Sequence, residues 1–229
     1  MKIVAITGTE VKGCTYNIKN IFLDTLREGN EIKEFYLPKD CPHFCCGCKT
    51  CFNIDENKCP HAMDTMNIWS AMMDADLLVF AYPVYCMRTP GQMKALLDHF
   101  GVHFMAHRPK KEMFSKKAVI ITQSIGAPNN AAQKDVATSL TWLGISDIRK
   151  IGFMLMEGAN WDQLSDKKRQ SITNKTVTLA KRYTQNYKVH KSIKHHILFK
   201  VCTLMHKSAL KNEVNQSVDT KYWLENGWI

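Results

Sequence analysis

Short apolar runs alternate along the chain with segments whose apolar residues recur at helical spacing. The first run, Lys2–Thr7 (KIVAIT), is rich in β-branched residues and stops at Gly8, which is typical of a buried parallel strand. Gly29 marks the end of the helix that follows it. The apolar residues on one face of that helix are Ile18, Ile21, Phe22 and Leu26.

The same alternation continues to about residue 187 and predicts the fold class. Further strands are predicted at 31–37, 76–82 and 118–122 and within 148–156. Helices are predicted around 66–73, 93–100 and 136–143, and from about 165 to 187. Five strand–helix units predict an α/β protein with a doubly wound, five-stranded parallel sheet. Ligands of such sheets bind beyond the carboxyl ends of the strands, where the loops beginning at Gly8, Pro83 and Gln123 should meet.

The end of the chain differs in composition from the body. The net charge is +10, and six of these charges lie from Lys181 onward, where nine Lys or Arg residues face three acids. We predict a folded domain at 1–187 and a basic, helical C-terminal extension at 188–229. A solvated helical face is the expected role of the extension, with contact to RNA or anionic lipid as the alternative, so nucleic acid is not the expected partner.

The first ten residues, MKIVAITGTE, hold an apolar run that is too short for a signal peptide. We also expect no membrane span, because no stretch approaches the roughly 18 apolar residues that a spanning helix needs. Both features predict a cytoplasmic protein. Thiols stay reduced there, so clustered cysteines indicate metal or redox chemistry.

The loop after the first strand suits an anion. GTEVKGCT has the glycine spacing of a phosphate-binding loop, but Cys14 stands where a nucleoside triphosphate motif requires lysine. The turn can still hold one terminal phosphate at a helix N-terminus, helped by the hydroxyls of Thr9, Thr15 and Tyr16. After the third strand, two interpretations of Pro83 and Tyr85 stay open: a wall that suits a planar ring, or an ordinary turn with a core tyrosine, which is favoured when the loop is taken alone.

Three segments together resemble the NAD(P)H-dependent FMN reductases of the flavodoxin-like superfamily, which include the iron–sulfur flavoproteins. The segments are TGTEVKGCT, the cysteine pattern after the second strand, and YPVYCMRTPGQMKALLDHF. The resemblance implies a flavodoxin-like fold, FMN as the hydride carrier and NAD(P)H as co-substrate. It also implies a homodimer or homotetramer that completes the flavin pocket.

The resemblance further implies a set of cofactor-binding residues. The matching positions are Thr9, Lys12, Gly13, Cys14, Thr15 and Tyr16 for the phosphate, with Pro83, Val84, Tyr85, Cys86, Met87, Thr122, Gln123, Ser124 and Gly126 for the ring. Val11 stands where family members often have arginine, which leaves the phosphate charge to Lys12 or the helix dipole. The chemistry requires no side-chain acid or base, so the catalytic residues stay unknown.

Six of the nine cysteines lie between residues 41 and 59. Cys45, Cys48, Cys51 and Cys59 have the spacing seen in iron–sulfur flavoproteins, which implies that they bind a [4Fe-4S] cluster. Two alternatives stay open. One is a metal-free thiol loop beside the flavin, and the other is tetrahedral zinc.

The leading functional hypothesis is a flavin-dependent oxidoreductase. It transfers hydride from NAD(P)H through FMN to a small-molecule electron acceptor such as a quinone, a nitroaromatic or a flavin. An alternative is an electron relay that uses FMN and a cysteine-ligated cluster. A hypothesis of another class is a zinc-stabilised nucleic-acid-binding module that uses the basic extension.

Overall fold

In the computed structural model, one sheet of five parallel strands forms the centre of the molecule. The structure describes residues 1–156, 158, 160–184, 189, 192–212 and 217–229. The strands are β1 (Lys2–Thr7), β2 (Glu31–Tyr36), β3 (Leu77–Pro83), β4 (Lys117–Ile125) and β5 (Asp147–Leu155). Their order in the sheet is β2-β1-β3-β4-β5. This is the flavodoxin-like order, so the predicted fold class is confirmed.

Helices cover both faces of the sheet. They are α1 (Cys14–Thr25), α2 (Thr50–Asn53), α3 (Ala62–Asp74), α4 (Gly91–His99), α5 (Asn130–Trp142), α6 (Asp166–Ala180), α7 (Ile193–Asn212) and α8 (Val218–Glu225). Alternation along β1 sends Val4 and Ile6 into the core beneath α3, α4 and α5. Ile3 and Ala5 enter the core beneath α1 and α6. The apolar strands therefore supply two cores, one on each face.

Several predicted boundaries differ from the observed ones, and α5 begins at Asn130, six residues before its predicted start. β4 runs three residues beyond the predicted end at Thr122, because its pairing with β5 continues until Ile125 lies opposite Leu155. The last helix of the body ends at Ala180 and passes into a 3-10 helix, Lys181–Tyr183, rather than reaching residue 187. Residues 185–188, which include the predicted domain boundary, lie outside the described part of the chain.

The predicted C-terminal helices are present and pack against the segment that precedes β4. Trp223 of α8 is fully buried, and its ring stacks on Phe199 of α7 with centroids 5.0 Å apart. Its Nε1 donates to the carbonyl oxygen of His107 at 2.6 Å, and the Tyr222 hydroxyl donates to that of Pro109 at 2.7 Å. Among the described residues, no helix has the length and apolar character needed to cross a membrane.

Candidate active site

A cavity of about 350 Å³ lies at the carboxyl ends of β1, β3 and β4. The loops after these three strands supply its walls, as expected for the switch point of a doubly wound sheet. Its lining residues are Thr9, Val11, Gly13, Cys14, Thr15, Pro83, Val84, Tyr85, Cys86, Met87, Gln123, Ser124, Ile125 and Ala127. The volume falls within the range of small-molecule and cofactor sites.

The N-terminus of α1 forms one end of the cavity. Gly13 is the residue before the helix, and neither a side-chain cap nor an acidic residue occupies the first turn. The first N–H groups of a helix have no partner within it and carry the positive end of the helix dipole. The loop itself is held by the Val11 N–H, which donates to Thr9 Oγ1 at 3.1 Å. This end of the cavity therefore suits an anion.

Cys14 lies at this end of the cavity and is almost fully buried. Burial, together with the charge of Asp162, raises the pKa of its thiol to about 11. The thiol is therefore neutral at physiological pH, and no thiolate repels an anion at the helix N-terminus.

A tight turn at residues 85–88 forms the opposite wall. The Tyr85 N–H donates to the Arg88 carbonyl at 3.0 Å, and the Arg88 N–H returns a bond of 2.9 Å to Tyr85. Between them Cys86 and Met87 have φ angles of 48° and 65°, a left-handed conformation that costs non-glycine residues energy. The turn is anchored to α5, because Arg88 Nε donates to Asp135 Oδ2 at 3.0 Å.

The loop after β4 closes the third side. The Val84 N–H donates to the Gln123 carbonyl at 2.7 Å, which joins this loop to the one after β3. The Ser124 hydroxyl donates to the Ala127 carbonyl at 2.5 Å and accepts from Asn129 Nδ2 at 3.1 Å. Ser124 therefore fixes the shape of the wall, since its hydrogen bonds go to its own loop.

A second cavity, of about 70 Å³, lies within the cysteine segment. Five of its lining residues are Cys45, Cys46, Cys48, Cys51 and Cys59, and it shares no lining residue with the first cavity. The exposed Cys48 accepts a hydrogen bond from Thr50 Oγ1 at 3.3 Å, and this bond lowers its pKa. Burial raises the pKa of Cys51 and of Cys59. The thiols in one pocket therefore differ in acidity.

The cysteine cavity does not present a formed metal site. In the described ranges, no group of three or more His, Cys, Asp or Glu side chains is arranged to hold a metal ion. The four predicted ligands line one cavity, but they are not arranged as a ligand shell there. The assignment of Cys45, Cys48, Cys51 and Cys59 as metal ligands stays a prediction.

Arg108 connects the cysteine segment to the C-terminal helix. Its side chain is almost fully buried and donates to the carbonyl oxygen of Cys51. Its Nη1 donates to Glu56 Oε2 at 3.1 Å, and Lys110 Nζ donates to the other oxygen of that carboxylate at 3.0 Å. Arg108 Nε also lies 3.1 Å from Asp219 Oδ1 of α8. One guanidinium thus ties three parts of the chain together.

The family model for NADPH-dependent FMN reductases matches residues 1–160. The chain belongs to this family. As a member it is an NAD(P)H-dependent oxidoreductase that uses FMN, and the predicted family and enzyme class are confirmed.

Individual relatives agree with this assignment. The chain is 23% identical over its whole length to an iron-sulfur flavoprotein from Archaeoglobus fulgidus, which is also covered completely. It is 34% identical to an FMN-dependent NADH:quinone oxidoreductase from Lachnoclostridium phytofermentans, over 34% of this chain and 44% of that protein. The fold is similar to that of an NAD(P)H:quinone oxidoreductase from Methanothermobacter marburgensis, with a TM-score of 0.62, 15% identity, and coverage of 82% of this chain and 98% of the other.

The FMN reductase cavity contains most of the residues that the sequence proposed for the cofactor. Those that line it are Thr9, Gly13, Cys14, Thr15, Pro83, Val84, Tyr85, Cys86, Met87, Gln123 and Ser124. Lys12, Tyr16, Thr122 and Gly126 do not line it. Lys12 lies over the Tyr16 ring, 5.7 Å from its centroid, and Thr122 Oγ1 accepts from Gln133 Nε2 at 2.8 Å, so both are engaged elsewhere.

Sequence reasoning missed three lining residues, Val11, Ile125 and Ala127. Val11 was considered only as the position of a missing arginine. Ile125 was missed because β4 was predicted to end at Thr122, three residues too early. The polar residues Thr122, Gln123 and Ser124 separate Ile125 from the apolar run of β4, so no apolar pattern in the sequence indicates it.

The cavity fits FMN on its own chemistry. An uncapped helix N-terminus free of acidic residues suits the terminal phosphate. Mostly apolar walls, with Tyr85 and Met87 on one side and Ile125 and Ala127 on another, suit a flat ring. The two ends of the cavity therefore match the two ends of the cofactor.

Proposed function

We propose that this FMN reductase passes reducing equivalents from NAD(P)H to a quinone-class small molecule, with FMN held in the 350 Å³ cavity. The observation that carries the proposal is the pairing of an uncapped helix N-terminus with a fixed apolar wall in one cavity. FMN supplies the hydride chemistry when it is bound. The acceptor class follows from the relatives named as quinone oxidoreductases.

The chain's own residues would bind and orient the reactants. Thr9 and Thr15, with the first N–H groups of α1, would hold the phosphate. The turn at Cys86 and Met87, braced by Arg88 and Asp135, would keep the ring plane fixed. Tyr85 is 47% exposed and Met87 61% exposed, so they border the mouth through which flat substrates would enter.

The test begins with the purified protein. It should be yellow, release FMN on denaturation, and oxidise NADH or NADPH with a soluble quinone as acceptor under anaerobic conditions. Comparing the two nucleotides identifies the donor. Protein that cannot be loaded with FMN, or that carries FMN without any quinone-dependent oxidation of either nucleotide, would contradict the proposal.

A charge reversal at the helix N-terminus tests the phosphate site. Thr15→Asp places a carboxylate in the first turn of α1 and should weaken FMN binding by at least about tenfold, because like charges repel there. Riboflavin, which lacks the phosphate, should be affected much less. Thr178→Asp on the exposed side of α6 is the matched control and should leave both affinities unchanged.

We also propose that the protein is a cytoplasmic homodimer. Val11, Met87 and Ile125 at the cavity rim are more than half exposed, and a second copy would cover them. All nine cysteines are free thiols, which fits a reducing compartment. Light scattering should give twice the mass of one chain, and the variant M87E should shift the mass to that of a monomer.

A second candidate function is the iron–sulfur relay, favoured by the presence of four predicted ligands in one cavity. Anaerobic purification should then yield protein that contains iron and labile sulfide in addition to FMN. Cys51→Ser should remove the iron and leave the FMN content unchanged, because the two cavities share no lining residue. Zinc without iron would favour the tetrahedral zinc site, and protein without metal would favour the metal-free thiol loop.

A further inference from the structure

Helix α7 carries apolar side chains on two opposite faces. On the inner face, Phe199 and Cys202 pack around Trp223 of α8. The outer face exposes five large apolar residues: Ile193 (79%), Ile197 (55%), Val201 (47%), Leu204 (67%) and Met205 (57%). A surface helix of a soluble domain normally presents polar residues outward, so this pattern indicates that the outer face contacts something apolar.

The exposed residues form one continuous stripe. Positions 193, 197, 201 and 204 are separated by four, four and three residues, which places them on the same side of a helix. Residues 193–205 extend for about 18 Å, so the stripe covers the first 13 of the 20 residues of α7. This length distinguishes it from the scattered exposed apolar residues of an ordinary surface.

The charge of the helix defines what can cover the stripe. α7 contains four lysines and no aspartate or glutamate. Lys200 and Lys207 are exposed and fall along one border of the stripe. The covering surface must therefore offer an apolar layer flanked by negative charge.

We propose that α7 is an interfacial helix that binds the surface of an anionic lipid bilayer. The stripe would enter the boundary between headgroups and acyl chains, while the lysines contact anionic headgroups. Because α7 lies parallel to the surface in this arrangement, the proposal agrees with the absence of a spanning helix among the described residues.

A second copy of the chain fits this face less well. A stripe about 18 Å long and about 10 Å wide would bury roughly 360 Å² across two partners, which is well below the roughly 1,000 Å² of a stable interface. Pairing two copies of α7 would also bring lysines together with no acid to neutralise them.

The position of α7 leaves the FMN cavity accessible. α7 packs near Phe114 and Trp142, which precede β4 and β5, whereas the cavity lies at the carboxyl ends of the strands. Membrane binding and FMN binding would therefore use opposite ends of the sheet. The proposal does not depend on the acceptor or on the cluster.

The experiment is vesicle co-sedimentation of the full-length protein loaded with FMN. Vesicles of phosphatidylcholine with about 30 mol % phosphatidylserine are compared with vesicles of phosphatidylcholine alone. We expect binding to the anionic vesicles to be at least about tenfold tighter and to weaken with added salt. No binding to the anionic vesicles would overturn the proposal.

Two paired substitutions separate the contributions of the stripe and the lysines. Ile197→Ser with Leu204→Ser should weaken vesicle binding at least about tenfold, because both side chains leave the apolar layer. Lys200→Gln with Lys207→Gln should weaken binding about 30-fold. The control is Lys167→Gln with Lys175→Gln on α6, which removes equal charge from an exposed helix and should have little effect.

The remaining outcomes count against the proposal. Binding that is unchanged by the serine substitutions, or reduced equally by the α6 control, would mean that bulk charge rather than the stripe binds lipid. A fall in molar mass caused by the serine substitutions would assign the stripe to a second copy. Binding of the protein to poly-glutamate but not to anionic vesicles would assign it to an acidic protein partner.

Discussion

Arg108 Nε lies 3.1 Å from Asp219 Oδ1, so a buried charge in the middle of the chain pairs with a carboxylate of the last helix. The same guanidinium donates to Glu56 Oε2 at 3.1 Å and to the carbonyl oxygen of Cys51. The arrangement of the cysteine segment is therefore linked to the docking of α8.

Asp219→Asn tests this link. Removing one of the two carboxylate partners of Arg108 should lower the free energy of unfolding by about 2 kcal/mol, because the buried guanidinium then keeps only Glu56 as its counter-charge. The thiol of Cys51 should also react faster with a thiol reagent, since its loop loses support. Urea unfolding and thiol titration measure the two effects. The control is Asp24→Asn, an exposed pair with Arg27, which should cost less than about 1 kcal/mol.

The left-handed turn at Cys86 and Met87 predicts a gain in stability. Met87→Gly should raise the free energy of unfolding by about 0.5–1 kcal/mol, because glycine removes the strain of φ 65° but adds chain entropy to the unfolded state. Met63→Gly, at a 93% exposed position within α3, should instead lower the free energy of unfolding, because glycine is a poor helix former. Chemical denaturation of both variants measures these changes. A fall in the free energy of unfolding in both variants would show that the turn is unstrained.

His103 should make stability depend on pH. Burial lowers its pKa from 6.5 to about 3, so between these values the unfolded chain binds a proton that the folded chain does not. The contribution of neutral His103 to the stability of the folded protein is fully present above pH 6.5 and is lost as the pH falls. Between pH 7.5 and pH 5, the free energy of unfolding of the unmodified protein should fall by about 2 kcal/mol more than that of His103→Phe. The phenylalanine ring of this variant can still stack on Trp69.

The measurement is the slope of the free energy of unfolding against pH, compared between the unmodified protein and His103→Phe. Taking the difference between the two slopes removes the contribution of titratable groups that both proteins share. These include Glu56, Lys110 and Arg108, which affect His103 electrostatically. His196→Asn changes an exposed histidine and should keep the slope of the unmodified protein. Identical slopes in the unmodified protein and His103→Phe would contradict the assignment.

Cys48 should be the more reactive thiol in its cavity when compared with Cys51 and Cys59. The Thr50 hydrogen bond lowers its pKa, whereas burial raises the pKa of the other two. Iodoacetamide labelling at neutral pH, mapped by mass spectrometry, should therefore modify Cys48 before Cys51 and Cys59. Thr50→Val should slow the labelling roughly two- to tenfold, while Thr50→Ser should retain the rate.

The sequence was sufficient for the fold because the central strands β1, β3 and β4 are largely apolar on both faces, and most helices that cover the sheet have a distinct apolar face. β1 matches its predicted bounds, and the switch-point cavity forms where the strand order requires it. These features depend on local patterns of burial. They can be recognised without knowing which distant residues meet.

The parts that sequence did not predict depend on distant contacts. Thr122 was assigned to the cofactor but bonds to Gln133, because the strand continues and turns that side chain toward α5. The contacts of Arg108 join residues 52 and 111 positions away in sequence, so no local pattern indicates them. The apolar outer stripe of α7 was visible as composition, but only packing showed which face was left exposed.

The contact between Arg108 and Asp219 also bears on biosynthesis. A ribosome makes the cysteine segment long before it makes α8, so the nascent chain holds those thiols without the carboxylate that later fixes Arg108. The cysteine segment therefore reaches its final arrangement only after α8 has been synthesised. Any cofactor delivered to it during translation would meet a looser site than the one in the mature protein.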